Sequence, residues 1–163
     1  MKPKPIGAFE TYTQRESLMQ YHSINPGDRD LELQRAIQKA TSLADHVLLV
    51  SPSSIKGLNH QLEKVIGKKF ITELFKERRF PVTFEDGRTC TFYLATTDTK
   101  SSFPGGAVVL PWASLQSVYW AVKNFPSSHT VFIPNENAKS SIRGAGKDEL
   151  TLYLKDYPKS INY

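Results

Sequence analysis

The chain has a single cysteine, Cys90, and no long apolar run. One cysteine excludes an internal disulfide and a cysteine-rich zinc site. A membrane-spanning helix needs roughly 20 predominantly apolar residues, whereas the densest runs here, 47–50 and 107–112, have the length of strands. The basic start of the chain is followed by polar residues and lacks the apolar stretch of a secretory signal. We therefore expect a soluble, cytoplasmic protein.

Neither low complexity nor an internal repeat is present in the 163 residues, which are 39% hydrophobic and 23% charged. This balance is typical of a globular chain, and this length favours one domain with one core. Pro3 and Pro5 exclude a helix at the start. We therefore predict a flexible arm over residues 1–8 and a single domain over residues 9–163.

Apolar residues recur at helical spacing in several segments, and the clearest stripe runs from Leu58 to Phe75. Turn residues up to Asp28 precede a second stripe and supply a candidate N-cap. The pattern predicts helices over these segments: 9–21, a stretch following Asp28, 58–78, 114–125 and a terminal helix around 150–157.

Between the helices lie short β-branched, aromatic or wholly apolar runs, which are typical of strands. The predicted strands are 46–51, 82–85, 88–95, 107–111 and 130–134. Asp86-Gly87 indicates a two-residue hairpin between the second and third of them. Alternation of long helices with apolar strands predicts an α/β fold, namely a layered α/β domain with a mixed, about five-stranded sheet containing one β-hairpin and helices on both faces.

Three polar loops follow predicted strands, at 51–57, 96–106 and 135–147, and they are rich in hydroxyls, small residues and cations. Open α/β sheets bind ligands outside the carboxyl ends of their parallel strands, and such residues suit a phosphate or another anion. The predicted ligand-binding residues are Ser53, Ser54, Lys56, Lys139, Arg143, Gly144, Gly146 and Lys147. The alternative is that these are ordinary surface loops, whose composition is similar.

Element order gives a second hypothesis. Helix 58–78, the hairpin strands, strand 107–111, helix 114–125 and strand 130–134 read α-β-β-β-α-β, with Asp86 near the second strand and an acidic-x-Lys triplet at 98–100. This arrangement resembles the core of the restriction-endonuclease-like nucleases. The resemblance implies a Mg²⁺-dependent nuclease in which Asp86 and Asp98 hold the ion and Lys100 positions the attacking water or stabilises developing charge.

Positive charge is concentrated near the end of the long helix. Of the chain's formal charge of +5, residues 64–79 contribute six cations against Glu73 and Glu77. The cations are Lys64, Lys68, Lys69, Lys76, Arg78 and Arg79. Such a face binds nucleic-acid phosphates or an acidic partner, or simply keeps the protein in solution.

The leading prediction is thus a binding or sensing module for a small anionic ligand, such as a nucleotide or another phosphorylated compound. The first alternative is the nuclease, and the second is a non-catalytic interaction domain that uses the basic helix face. The sequence predicts no resident metal or cofactor, and Mg²⁺ enters only with the nuclease hypothesis. It leaves the ligand, the oligomeric state and the presence of catalysis open.

Overall fold

The described residues form one seven-stranded sheet flanked by helices. The computed structural model describes residues 19–23, 29–52, 58–135 and 149–163, so the predicted arm over residues 1–8 lies outside the described residues. The described strands are β1 (Gln20–His22), β2 (His46–Val50), β3 (Arg79–Thr83), β4 (Thr89–Ala95), β5 (Ala107–Ala113), β6 (His129–Pro134) and β7 (Ile161–Asn162). The described helices are α1 (Arg29–Leu43), α2 (Asn59–Ile66), α3 (Lys68–Glu77), α4 (Leu115–Asn124) and α5 (Glu149–Asp156).

The strand order is β3-β4-β2-β5-β6-β1-β7. Every neighbouring pair is parallel except β3 and β4, which form an antiparallel hairpin. The predicted layered α/β fold with a mixed sheet and one hairpin is therefore confirmed. Strands β2, β5 and β6 occupy central positions and are buried along almost their whole length, as expected for parallel strands covered on both faces.

Helices cover both faces of the sheet, as the sequence predicts. On one face, α1, α2 and α3 pack over alternate strand residues such as Val47, Leu49 and Val109. On the other face, α4 and α5 pack over the intervening residues, including Leu48 and Val108. The period-2 alternation of a strand thus divides one apolar run between two cores.

No helix connects β4 to β5. Residues 96–106 make this crossover without regular secondary structure, and Phe103 anchors the segment. The Phe103 ring centroid lies 5.4 Å from that of Tyr93 and 5.1 Å from that of Phe125. This loop therefore covers the part of the sheet that a crossover helix would otherwise bury.

Three details differ from the sequence prediction. The described sheet has seven strands and not about five, because β1 and β7 are added at one side. Strand β1 overlaps the end of the stretch 9–21, for which the sequence predicts a helix. The predicted helix 58–78 is two helices, because Gly67 has φ +113 and ends α2 with its N–H bonded to the Glu63 carbonyl. No residue other than glycine adopts such a φ without strain.

The third difference is the register of the hairpin. Strand β3 begins at Arg79, three residues before the predicted start. Phe84 N–H donates to the Arg88 carbonyl at 2.8 Å, so the turn between them has three residues, ending in Gly87 with φ +88. A three-residue hairpin loop with a left-handed glycine in its last position is a common form.

Among the described residues, no helix combines the length and the apolar character needed to span a bilayer.

Candidate functional site

The three polar loops that the sequence singles out leave the sheet at one edge. Strands β2, β4 and β6 run parallel to one another, so Ser51, Thr96 and Asn135, which follow them, all lie at the carboxyl edge. The eight predicted ligand-binding residues lie outside the described residues: Ser53, Ser54, Lys56, Lys139, Arg143, Gly144, Gly146 and Lys147. Their positions stay predictions, whereas the common edge is observed.

The order of the strands creates a crevice between β2 and β5. After β2 the chain passes through α2 and α3 on one face toward β3 and β4. After β5 it passes through α4 on the opposite face toward β6. Because the two connections diverge, the described helices leave the carboxyl ends of β2 and β5 uncovered between them. Such a switch point is where open α/β sheets bind ligands.

A cavity of about 310 Å³ lies at this position. Its described lining residues come from the ends of β2, β5 and β6 and from α1, α2 and α4: Arg29, Pro52, Gln61, Trp112, Ser114, Ser117 and Asn135. None of these residues is acidic, and all of them except Pro52 carry a hydrogen-bond donor on the side chain. The cavity, which we call the crevice, therefore suits a hydrogen-bond acceptor that carries negative charge.

Arg29 and Trp112 form the charged side of the crevice. The guanidinium carbon of Arg29 lies 4.5 Å from the centroid of the Trp112 ring, which is cation–π geometry. Trp112 is 7% exposed, and its buried Nε1–H has no hydrogen-bond partner among the described residues. A buried donor without a partner costs about 1–3 kcal/mol, so an acceptor that reached this indole N–H would stabilise the folded protein.

The backbone of Trp112 is unusual. Its φ is +48, which is strained for a bulky residue. The pairing of β5 with β6 is irregular between Leu110 and Ala113, as at a β-bulge, where a strand commonly re-aims a side chain. On that basis we attribute the placement of the Trp112 ring against Arg29, on the face of the sheet that carries α1, to this local irregularity.

The crevice also receives the N-terminal ends of two helices. Helix α1 begins at Arg29, and α4 begins directly after Ser114, whose hydroxyl does not cap the helix. Helix N-termini carry a partial positive charge of about +0.5 each. Both helices follow parallel strands and therefore direct this end toward the carboxyl edge, so the local field favours an anion.

The residues of the nuclease hypothesis do not come together. Asp86 lies in the turn before β4, where its carboxylate accepts the Arg88 N–H at 2.9 Å. Asp98 lies in the loop after β4, where its N–H donates to Thr96. The seven residues of β4 separate them by about 20 Å at 3.3 Å per residue. Two carboxylates that share one Mg²⁺ must each approach it to about 2.1 Å, so Asp86, Asp98 and Lys100 cannot form that site.

Other chemistry is also limited in the part of the chain that the structure describes. No group of three or more His, Cys, Asp or Glu residues is arranged to hold a metal ion there. Burial raises the pKa of the Cys90 thiol to about 11, so this side chain is protonated at pH 7 and is a weak nucleophile.

The six basic residues near α3 are all exposed: Lys64, Lys68, Lys69, Lys76, Arg78 and Arg79. Lys64 lies 3.4 Å from the Asp30 carboxylate and links α2 to α1. The other five make no ion pair with a described residue. They form a basic surface on α3 and the start of β3, which is separate from the crevice lining.

A buried polar network links β1, α5 and the segment before β7. His22 Nδ1 lies 2.7 Å from Ser160 Oγ, which lies 2.7 Å from the Tyr153 hydroxyl. Burial lowers the pKa of His22 and raises that of Tyr153, so both are neutral at pH 7. The network is satisfied when Tyr153 donates to Ser160 and Ser160 donates to His22.

Sequence reasoning missed the two central residues of the crevice. Arg29 directly follows the predicted N-cap of α1, and Trp112 directly follows the apolar strand residues 107–111. Both positions adjoin strand ends or helix starts, which is the available signal. Their proximity depends on strand order, because β1 and its following helix reach β5 only across β6.

The chain matches no protein-family model, no curated protein and no solved structure.

Proposed function

We propose that the protein is a binding or sensing module that holds a small anionic ligand in the crevice between β2 and β5. The observation that carries this proposal is the composition of the lining: Arg29 is its only charged described residue, and the polar residues around it are hydrogen-bond donors. An anion placed there gains charge-assisted hydrogen bonds, which are about twice as strong as neutral ones.

The size of the cavity supports a small ligand. At about 310 Å³, the volume lies at the lower end of the range of small-molecule sites. A sugar phosphate or a mononucleotide is of suitable size, whereas a polymer contacts a more extended surface. Accordingly, we propose recognition of a single small molecule or of a terminal group.

The loops predicted from the sequence would complete the site. They leave the sheet after β2 and β6, which lie on either side of β5, the strand that carries Trp112. In this proposal Lys56, Lys139, Arg143 and Lys147 neutralise the ligand. The hydroxyls of Ser53 and Ser54 and the backbone around Gly144 and Gly146 donate hydrogen bonds to it.

Thermal unfolding with a panel of small molecules tests the proposal. Ligand at 100 times its Kd stabilises the folded state by about 2.7 kcal/mol, which raises Tm by about 5–10 °C in a chain of this size. We expect such a rise with anions such as phosphate, AMP or citrate and none with neutral ribose or glycerol. Arg29→Gln should abolish it. Lys123→Gln is the matched control, because it removes an exposed cation at the opposite end of α4.

A flat response across the panel contradicts the proposal. So does an equal rise in the wild-type and Arg29→Gln proteins, since the anion would then bind elsewhere.

A second candidate function uses the basic surface. Its exposed cations, five of which make no ion pair with a described residue, favour contact with the phosphates of a nucleic acid. Retention on a nucleic-acid column should fall steeply with salt, and Lys68→Gln combined with Lys69→Gln and Lys76→Gln should reduce the salt slope by about 2–3. Retention that salt does not change would exclude this candidate.

A further inference from the structure

The charge of the crevice indicates which anion it takes, provided that the proposed function holds. Arg29 contributes one full positive charge, and the N-terminal ends of α1 and α4 contribute about half a charge each. Asp30 and Glu32 in the first turn of α1 offset part of this field, but Asp30 is paired with Lys64 and neither residue lines the crevice, so the described lining itself is positive. A phosphate monoester carries about −1.5 to −2 at pH 7. A carboxylate or a phosphate diester carries only one charge.

The number of donors leads to the same class of ligand. A terminal phosphate has three strong acceptor oxygens, each able to accept more than one hydrogen bond. The crevice offers the guanidinium fork of Arg29, the indole N–H of Trp112 and the hydroxyls of Ser114 and Ser117. A carboxylate has only two oxygens and would leave more of these donors without a partner.

The buried indole N–H of Trp112 is an indication of a ligand that is independent of the helix N-termini. The residue is more than nine-tenths buried and lines the crevice, and its Nε1–H has no hydrogen-bond partner in the part of the chain that the structure describes. Buried polar groups in folded proteins nearly always have a partner, so an exception calls for an explanation. A ligand oxygen that reached this N–H would be such a partner.

We propose that the crevice holds the terminal phosphate of a phosphorylated small molecule, with Arg29 neutralising the phosphate and the Trp112 indole N–H donating to one of its oxygens. Ser114 and Ser117, at the start of α4, donate further hydrogen bonds. The group attached to the phosphate is a sugar or a nucleoside, and comparison of ribose 5-phosphate with AMP separates these two sources.

The first experiment uses a protein with a single indole. Trp120 and Trp112 are the only tryptophans, so Trp120→Phe leaves Trp112 as the only tryptophan fluorophore. This variant is titrated with ribose 5-phosphate, AMP, ribonate and dimethyl phosphate, and binding is followed by Trp112 emission and by calorimetry. We expect ribose 5-phosphate to bind about tenfold or more tightly than ribonate or dimethyl phosphate, the factor typical of one charged hydrogen bond.

Comparison of the two monoesters then identifies the source of the phosphate. Similar affinities for ribose 5-phosphate and AMP indicate that the sugar phosphate suffices, and tighter binding of AMP indicates a nucleotide. Both results support the phosphate monoester. Equal affinity for the monoester, the carboxylate and the diester would overturn this inference and leave the anion-binding function intact.

Variants test the two named residues. Arg29→Gln should weaken ribose 5-phosphate binding about tenfold or more, and Arg29→Lys should restore part of it, because the charge returns without the planar fork. Trp112→Phe keeps an aromatic ring for Arg29 but removes the N–H, so we expect about tenfold weaker binding by calorimetry in a protein with unchanged circular dichroism.

The matched control, Lys123→Gln, should bind ribose 5-phosphate as the wild type does. If Trp112→Phe does not fold, Arg29→Gln and the ligand series still decide the question. Ribose 5-phosphate binding that neither Arg29→Gln nor Trp112→Phe weakens would overturn the inference. Absence of binding by every anion would refute the proposed function as well.

Discussion

The guanidinium of Arg29, the first residue of α1, lies over the ring of Trp112, near the end of β5, with 4.5 Å between the guanidinium carbon and the ring centroid. The contact joins the start of a helix to the end of a strand at one side of the crevice. The ring is buried and Arg29 itself is exposed, so the charge remains available to a ligand while the contact limits its position.

A double-mutant cycle measures this contact. Arg29→Ala should lower the free energy of unfolding by about 0.5–1 kcal/mol, the range for an exposed cation–π pair. In a Trp112→Leu background the same change should cost less, because the aromatic face is gone. Urea denaturation of the four proteins gives the coupling energy, and an equal cost in both backgrounds would show that the ring contributes nothing.

Gly106 offers a sharp test of the packing at the amino end of β5. A Cβ at this position would lie 2.3 Å from the His46 carbonyl oxygen and 3.2 Å from the Ala44 Cβ. Because a backbone oxygen cannot move aside, Gly106→Ala should lower the free energy of unfolding by about 3 kcal/mol or more. Urea denaturation measures the loss.

Gly67→Ala is the matched control for this prediction. Gly67 also has a positive φ, of +113, but a Cβ there would meet nothing within 4 Å. Its substitution should therefore cost only the backbone strain, about 1–3 kcal/mol. Equal losses for the two variants would indicate that the contact with His46 is relieved by a shift of the chain.

The central strands were predictable because a short, wholly apolar run must be buried on both sides, and an inner strand of a parallel sheet is the element that buries it. Strands β2 and β5 are such runs, and both proved to be buried on both faces. The outer strands could not be predicted in this way. β1 has three residues, and both residues of β7 are exposed, so their pairing depends on the neighbouring strands and not on their own sequence pattern.

The candidate site, like the sheet, was predictable only in part. The polar loops gather at the carboxyl edge because the strands that precede them are parallel. The alternation of helices and strands in the sequence predicts this parallel arrangement. The approach of Arg29 to Trp112 depends on β1 lying beyond β6, an order that one sequence does not reveal. Asp86 and Asp98 illustrate the same point, since their separation became evident only when β4 was found to lie between them.

Ser160 is the central member of the His22–Ser160–Tyr153 network, and its removal should be costly. Ser160→Ala leaves the buried Tyr153 hydroxyl and the buried His22 Nδ1 without this partner. Each unsatisfied group costs about 1–3 kcal/mol, so the free energy of unfolding should fall by at least that amount. Calorimetric or urea unfolding measures it.

The same network predicts a rescue. Tyr153→Phe in the Ser160→Ala protein removes one of the two unsatisfied groups, so the double variant should be less destabilised than the sum of the two single variants. Ser42→Ala is the control, because Ser42 is exposed on α1 and bonds only a backbone carbonyl; it should change stability by less than about 0.5 kcal/mol. Strictly additive losses at Ser160 and Tyr153 would contradict the network.

Stability should also depend on pH through His22. Burial lowers the pKa of His22 from its ordinary value of 6.5, so the unfolded state binds more protons than the folded state between the lowered pKa and about 6.5. Stability is therefore fully present above pH 6.5 and is lost as the pH falls toward the folded-state pKa. The slope that one group contributes is at most about 1.4 kcal/mol per pH unit.

Urea denaturation between pH 7.5 and pH 5 measures this dependence in matched variants. His22→Asn places an amide near the position of Nδ1 and can keep the bond to Ser160, but it cannot titrate, so its slope should be smaller than that of the wild type. Burial and then Lys39 lower the pKa of His129 as well, so His129→Asn should remove a further part of the slope. Ser42→Ala, which removes no titratable group, is the control and should leave the slope unchanged. A His22→Asn protein with the full wild-type slope would show that this histidine is not charged more readily in the unfolded chain than in the folded one.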